Sequence, residues 1–188
     1  MVEDDKIETR IAADRLVRFV HDLFRAAGVP GDDAETIART IVGQEVRGNT
    51  THGLRLVDFN LLGMAEGRIE SRPDQSVLSD QGMTAVIEGD HGVGMVGCMK
   101  AMRLAIQKAR EGGIGMAIVV RNNHFLAAIP YCLEAAEAGM IGIPVPPAAP
   151  GSCLASTSVI DACRDDACHA GMTRSDGLIF DRQQGASR

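Results

Sequence analysis

The chain has 188 residues, 45% of them hydrophobic, which is enough for one domain with a buried core. Its formal net charge is −6, and no run of lysine and arginine alternates with aromatic residues. These features exclude a basic nucleic-acid-binding surface, so a small acidic ligand would have to be held by a local arginine.

The N-terminal residues 1–10 are charged, and no apolar stretch approaches the roughly 20 residues needed to span a bilayer. We therefore expect a cytoplasmic protein with neither a signal peptide nor a membrane partner. The five cysteines show no CxxC spacing, which favours reduced thiols over a disulfide framework. Cys163, Cys168 and His169 are of ligand type but lack a convincing fourth ligand, so we expect no metal site.

Helical periodicity dominates the first third of the chain. Apolar residues recur every three or four positions in 11–27, and the Gly28 to Gly31 segment ends that pattern. Asp32 or Asp33 can cap a second helix that runs towards Val46. A third helix is predicted from Leu54 until Gly67.

A polar segment around Pro73 marks a change in composition, and strands then alternate with helices. The run 114–120 is almost continuously apolar, which is typical of a strand buried on both faces. This order predicts an α/β fold with a mainly parallel or mixed sheet. The predicted elements are strand 83–88, helix 95–110, strand 114–120, helix 127–138 and strand 140–143.

After Ile143 the pattern breaks, because Pro144, Pro146, Pro147 and Pro150 crowd together and no amphipathic period follows. We expect no further strand there. The sequence thus predicts a helical region over 1–72, a partial α/β domain over 73–143 and an aberrant tail over 144–188, with disorder of the tail as one alternative.

The segment 48–55 contains a hydroxyl, an imidazole and a guanidinium at the start of the third helix. His52 is a candidate proton donor or acceptor, Thr51 can orient its ring, and Gly53 leaves space for a substrate. Arg55 can clamp a carboxylate through two hydrogen bonds. The alternatives are a histidine that caps the helix and an exposed surface arginine.

A second polar cluster, residues 121–125, follows the apolar strand 114–120. His124 would lie at the carboxyl end of that strand, the edge where open α/β sheets place ligands. Asn122 and Asn123 add amide donors and acceptors. A simple turn with an asparagine-rich cap is the equally weighted alternative.

The glycines of 92–97 match the dinucleotide-binding pattern GxGxxG and lie between a predicted strand and helix. The next strand, however, ends in Arg121 and not in the acidic residue that would hold a ribose. We interpret these glycines mainly as a tight turn with close helix packing. An ordinary Rossmann domain is kept as the weaker alternative.

Four motifs occur in a distinctive order: Thr51-His52-Gly53, then Leu-Leu-Gly-Met-Ala-Glu-Gly-Arg-Ile over 61–69, then Arg-Asn-Asn-His-Phe over 121–125, then Ala-Ala-Glu-Ala-Gly-Met-Ile-Gly-Ile over 135–143. Over about 11–143 the chain resembles the malate/L-lactate dehydrogenase family of NAD(P)-dependent oxidoreductases. This family is distinct from the Rossmann lactate and malate dehydrogenases and includes ureidoglycolate, sulfolactate and diketogulonate dehydrogenases and a cyclic-imine reductase. The resemblance implies a sulfolactate-dehydrogenase-like fold, incomplete here, in place of a Rossmann domain.

The resemblance also implies roles for single residues. His52 is similar to the family's acid/base histidine and Thr51 to the hydroxyl residue that orients it. Arg55 resembles the substrate-carboxylate arginine, which many members carry one residue later, where this chain has Leu56. His124 and Phe125 match a segment at the cofactor, and Leu126 stands where the family commonly has glycine; the implied cofactor-binding residues are His124, Phe125, Leu126, Ala127 and Ala128.

The implied reaction is hydride transfer between NAD or NADP and a small 2-hydroxy or 2-oxo acid. Family members are nearly twice as long and are expected to be homodimers. We therefore expect a truncated member with impaired activity. The alternative is an inactive vestigial or interaction fragment without catalysis.

Overall fold

The computed structural model describes residues 10–145 and 155–160, and the account below concerns those residues. Helices and strands follow each other in a mixed α/β order. They are α1 (Ala13–Ala26), α2 (Gly31–Val46), a 3-10 turn (Thr50–His52), α3 (Arg55–Ala65), β1 (Val77–Gln81), β2 (Thr84–Glu88), α4 (Gly94–Gly112), β3 (Ile114–Val120), α5 (Ile129–Glu137), β4 (Ile141–Val145) and β5 (Ala155–Ile160).

Helices α1 and α2 pack against each other through their apolar faces. Val20 and Phe24 of α1 are buried against Ile37 and Ile41 of α2, in agreement with the predicted helical period. Burial of a side chain such as Phe24 contributes about 2–3 kcal/mol. Gly28 lies just after α1 with a φ of +93°, within the segment that was predicted to end this helix.

The strands form one mixed sheet in the order β1-β2-β3-β5-β4. β2 and β3 are parallel because α4 connects them as a crossover, and the other neighbouring strands are antiparallel. This confirms the predicted mixed α/β class.

One face of the sheet is covered by helices α4 and α5. Gly115, Ala117 and Val119 of β3 are buried on this side, and a Cβ on Gly115 would overlap the carbonyl of Ala105 in α4. On the other side, Ile114 is 52% exposed and the remaining residues are half-buried. The prediction that β3 is buried on both faces is therefore wrong, since both covering helices lie on the same side.

Helix α4 joins the core of the helical layer to the core under the sheet. Met95 packs with the residues of α1 and α2, whereas Cys98, Met99 and Met102 pack with the sheet. Ile106 continues the buried stripe. The predicted apolar face of α4 is confirmed.

Two strands were not predicted. β1 has only two apolar residues, Val77 and Leu78, and turns into β2 through Gly82 at a φ of +57°. The expectation of no strand after Ile143 is wrong, because β5 pairs with both β3 and β4. Its small polar residues gave no apolar signal, and the two neighbouring strands supply the hydrogen bonds that define it. The division at 72 and 143 stays a prediction.

No helix in the described part of the chain is both long and apolar enough to cross a membrane.

Candidate active site

The C-terminus of α2 fixes the start of the site. Gly48 has a φ of +78°, its N–H donates to Glu45 O at 2.9 Å, and Asn49 N–H donates to Gln44 O at 3.0 Å. This pair of bonds is the Schellman arrangement, which needs a residue in the left-handed region at the position of Gly48. It brings Asn49 back against Gln44.

Glu45 ties the following turn to α2. Its Oε2 accepts a hydrogen bond from Leu54 N–H at 2.9 Å, which satisfies a donor at the start of α3. A Cβ on Gly53 would overlap this carboxylate. Glu45 thus fills the space beside Gly53 that the sequence analysis assigned to a substrate. The hydrogen bond from Leu54 N–H to Glu45 holds the turn that carries His52 between α2 and α3.

His52 is the last residue of the 3-10 turn and is partly buried. Its Nδ1 lies 3.0 Å from Thr51 Oγ1, which donates its proton to Asn49 Oδ1 at 3.2 Å. When the single hydroxyl proton of Thr51 is used on Asn49, Thr51 can only accept from His52, and in that arrangement Nδ1 carries the ring proton. Thr51 thus contacts the ring of His52, and its orienting role stays a prediction.

His124 reaches the same place from the sheet. It lies in the segment after β3, where Arg121 has a φ of +49° and Leu126 a φ of +73°. Leu126 N–H donates to His124 Nδ1 at 3.1 Å, a contact that fits a neutral ring with its proton on Nε2. Leu126 thus adopts a left-handed conformation that glycine adopts more readily than leucine.

The rings of His52 and His124 stack with a centroid distance of 6.0 Å and an interplanar angle of 30°. Phe59 of α3 lies edge-on to His124 at 6.0 Å. Partial burial lowers the pKa of His124 below its usual 6.5, and the positive charge of His52 lowers it further. The structure therefore brings together the two histidines that the sequence singled out.

The other predicted residues differ in their exposure. Arg55 begins α3, is exposed and forms no ion pair with the described residues. The side chains of Phe125, Leu126 and Ala127 are buried in the core, and Ala128 is partly buried just before α5. Their contact with a cofactor and the role of Arg55 stay predictions.

Buried hydrogen bonds hold the segment that carries His124. Asn122 Nδ2 donates to Gly94 O at 2.9 Å and to Cys98 Sγ at 3.3 Å, and Tyr131 donates its hydroxyl proton to Phe125 O at 2.5 Å. Burial raises the pKa of Cys98 to about 12, so the thiol stays protonated. Asn122, predicted as part of the site, thus acts from beneath it.

Two glycines of the GxGxxG pattern, Gly94 and Gly97, pack against this segment. A Cβ on Gly94 would overlap the carbonyls of Asn123 and His124, and one on Gly97 would lie 2.8 Å from Asn122 Oδ1. This confirms the interpretation as close packing, since backbone lies against Gly94 and the side chain of Asn122 lies against Gly97.

Sequence reasoning missed Gln44, Glu45, Asn49 and Phe59. Gln44 gave a signal, since a polar residue follows Ile37 and Ile41 on the buried face of α2. Glu45 and Asn49 gave none, because their partners depend on how α2 turns into α3. Phe59 was interpreted only as part of an apolar period, although it is 43% exposed.

Among residues 10–145 and 155–160, no three His, Cys, Asp or Glu side chains gather as metal ligands. Cys163, Cys168 and His169 lie outside the described residues.

Known proteins resemble this chain in sequence. A sequence profile described as malate/L-lactate dehydrogenase matches residues 11–158. Malate dehydrogenase from Pyrococcus horikoshii is 37% identical over 139 residues, which are 74% of this chain and 39% of that protein. L-sulfolactate dehydrogenase from Methanocaldococcus jannaschii is 35% identical over 128 residues, 68% of this chain and 37% of that protein.

Solved structures give the same result. The malate dehydrogenase structure from Pyrococcus horikoshii superimposes with a TM-score of 0.72 at 36% identity, over 74% of this chain and 40% of that one. The sulfolactate dehydrogenase from Methanocaldococcus jannaschii gives 0.69 at 34% identity, over 71% and 39%. This chain spans about two fifths of the length of these relatives. The profile extends past Ile143, where the resemblance was expected to end, and the chain belongs to the malate/L-lactate dehydrogenase family.

Proposed function

We propose that the chain carries the acid/base half of an NAD(P)-dependent oxidoreductase site for a small 2-hydroxy or 2-oxo acid. The observation that supports this most is the pairing of His52 and His124, with His52 Nδ1 in contact with Thr51. The family membership supports the dehydrogenase class. The chain covers 39% of the length of the malate dehydrogenase that it matches, so dehydrogenase activity of this chain is part of the proposal.

His52 would be the acid/base residue. In the oxidation direction its Nε2 takes the hydroxyl proton of the substrate, and in reduction it returns that proton. Thr51 keeps the opposite nitrogen protonated through the contact at 3.0 Å. A ring held in this way needs no rotation before it accepts the proton.

His124 would act as a neutral donor beside His52. Its Nδ1 is occupied by Leu126 N–H, so its Nε2–H points away from that bond and can donate to a carbonyl or hydroxyl oxygen. The lowered pKa keeps this ring neutral near pH 7. Two adjacent imidazoles then have opposite roles, one accepting and one donating.

Arg55 would bind the substrate carboxylate. It lies one helical turn beyond His52 at the exposed start of α3, free of ion pairs within the described residues. A guanidinium binds a carboxylate through two parallel hydrogen bonds. This gives the site its preference for acids.

The aromatic side chains near His52 suit a nicotinamide cofactor. The exposed faces of Phe59 and His124 form an aromatic surface next to His52, which suits a planar ring. The segment from His124 to Ala128 is the proposed cofactor contact. When bound, NAD or NADP accepts or supplies the hydride.

Turnover tests the proposal. The purified chain is incubated with NADH or NADPH and with pyruvate or oxaloacetate, and loss of dihydronicotinamide absorbance is followed. His52→Gln should lower turnover about 100-fold or more. A variant that matched the wild type would show that His52 is not the acid/base residue. Thr50→Val, in the same turn, is the control that should retain the wild-type rate.

A second candidate is a non-catalytic association module. The open side of the sheet favours it, since Ile114, Ile141, Ile143 and Val145 are each at least 38% exposed. An apolar area of this kind is typical of a protein–protein contact. Equilibrium binding of NADH and NADPH separates the two candidates: the enzyme should bind at least one of them and the module neither.

The same proposal includes a homodimer and a cytoplasmic location. It covers NAD or NADP as the cofactor and a small 2-hydroxy or 2-oxo acid as the substrate. The impaired rate predicted in the sequence analysis is also part of it. Comparing turnover with that of the Pyrococcus horikoshii protein under the same conditions would measure the impairment.

A further inference from the structure

We propose that Asn49, held by the buried Gln44, is a positioning residue that fixes the tautomer of His52 and so keeps Nε2 as the proton acceptor. This inference rests on the proposed acid/base role of His52. It assigns a function to two residues that neither the sequence motifs nor that proposal used.

Asn49 is held at both its backbone and its side chain by one residue. Its N–H donates to Gln44 O at 3.0 Å, and its Nδ2 donates to Gln44 Oε1 at 3.0 Å. The amide oxygen is thereby turned towards Thr51, which it reaches at 3.2 Å. The orientation of Asn49 is set from inside the protein.

The direction of each hydrogen bond follows from the number of protons available. Asn49 Oδ1 can only accept, so the single hydroxyl proton of Thr51 is used on Asn49. Thr51 Oγ1 can then only accept from His52 Nδ1. The ring proton is therefore on Nδ1, and the lone pair is on Nε2.

Packing alone does not explain Gln44. Its side chain is fully buried on the face of α2 that carries Ile37 and Ile41, and its Nε2 has no hydrogen-bond partner within the described residues. A buried donor without a partner costs about 1–3 kcal/mol, which a leucine would avoid. The side-chain hydrogen bond that Gln44 does make is the one to Asn49.

The opposite arrangement can be distinguished by experiment. If both amides were turned over, Gln44 would donate to Asn49, Asn49 to Thr51 and Thr51 to His52 Nδ1. The ring proton would then move to Nε2, and His52 could not accept a proton there. The tautomer of His52 reports directly which arrangement is present.

The experiment measures the ¹⁵N shifts of the His52 ring at about pH 8, where an ordinary imidazole is neutral. His52→Gln identifies the signals. The wild type should show Nδ1–H as the main form. In Asn49→Leu, which removes the acceptor for Thr51, the ratio of Nδ1–H to Nε2–H should fall about fivefold, the change controlled by one ordinary hydrogen bond.

Gln44→Leu is the second variant. It fills the same buried space without the amide, so Asn49 loses its side-chain partner and the ratio should move in the same direction by a smaller factor. Thr50→Val is the matched control, because no hydrogen bond of the Thr50 side chain is present among the described residues, and it should leave the ratio unchanged. Circular dichroism checks that each variant is folded.

Two results would overturn the inference: a wild-type ring protonated mainly on Nε2, or an unchanged ratio in folded Asn49→Leu. If Asn49→Leu does not fold, Gln44→Leu decides by the same criterion. The measurement needs neither cofactor nor substrate. Failure of the proposed enzyme activity would therefore leave the tautomer result intact, and the reverse also holds.

Discussion

His52 and His124 stack with their ring centroids 6.0 Å apart, although one belongs to the turn before α3 and the other to the segment after β3. At this distance the charges of two protonated rings repel each other, so protonation of one ring disfavours protonation of the other. A positive charge on His52 therefore favours the neutral form of His124.

Replacing His52 should raise the pKa of His124. His52→Gln removes the neighbouring positive charge, which is the second cause of the lowered pKa, and leaves partial burial as the first. The value should rise but stay below 6.5. NMR titration of the His124 ring measures this, and Thr50→Val should leave it unchanged. No change in His52→Gln would show that the two rings are not coupled.

The free energy of unfolding should decrease as the pH falls from the unfolded-state pKa of His124 to its lower folded-state pKa. The folded-state pKa lies below 6.5, so the unfolded chain binds more protons at acidic pH. The contribution of His124 to the free energy of unfolding is fully present above pH 6.5 and is lost as the pH falls through the folded-state pKa. Denaturant unfolding of the wild type and His124→Gln between about pH 5 and pH 7.5 measures this. The variant should show the smaller pH dependence, and equal curves would contradict the prediction.

Gly53→Ala should destabilise the protein by about 1–3 kcal/mol, because the added methyl group overlaps Glu45 Oε2 and displaces the acceptor of Leu54 N–H. Denaturant unfolding measures the loss. Gly31→Ala is the control: a Cβ there meets nothing within 4 Å, so its effect should be small. In the Glu45→Ala background the cost of Gly53→Ala should shrink, and an unchanged cost would refute the contact.

Gly94→Ala should also destabilise the protein by about 1–3 kcal/mol. The methyl group overlaps the carbonyls of Asn123 and His124, which are backbone atoms and cannot rotate away. The NMR signal of the His124 ring should also shift, because the backbone segment after β3 must move to accommodate the methyl group. Gly112→Ala meets only the flexible side chain of Met83, at 3.0 Å, and should cost less. If cofactor binding were lost while stability and the His124 signal stayed the same, the glycine would be a phosphate-binding residue instead.

Several features were readable in the sequence because they depend on local pattern. The period of α1 and α2, the buried stripe of α4 and the run of β3 are properties of neighbouring residues, and the structure confirms them. The sequence also singled out His52, Thr51 and His124, since motif order and residue chemistry do not require a known fold.

Tertiary structure decided the rest, because it depends on residues distant in the chain. β5 exists as a strand through the hydrogen bonds of β3 and β4, and one face of β3 stays open because α4 and α5 share the other. The distance between the two histidines likewise depends on how the helical layer sits on the sheet. The proposed position of the proton on His52 depends on the contact between Asn49 and Gln44, which requires the turn at the end of α2. The sequence named the acid/base candidate, and only the folded chain shows that Thr51 contacts its Nδ1.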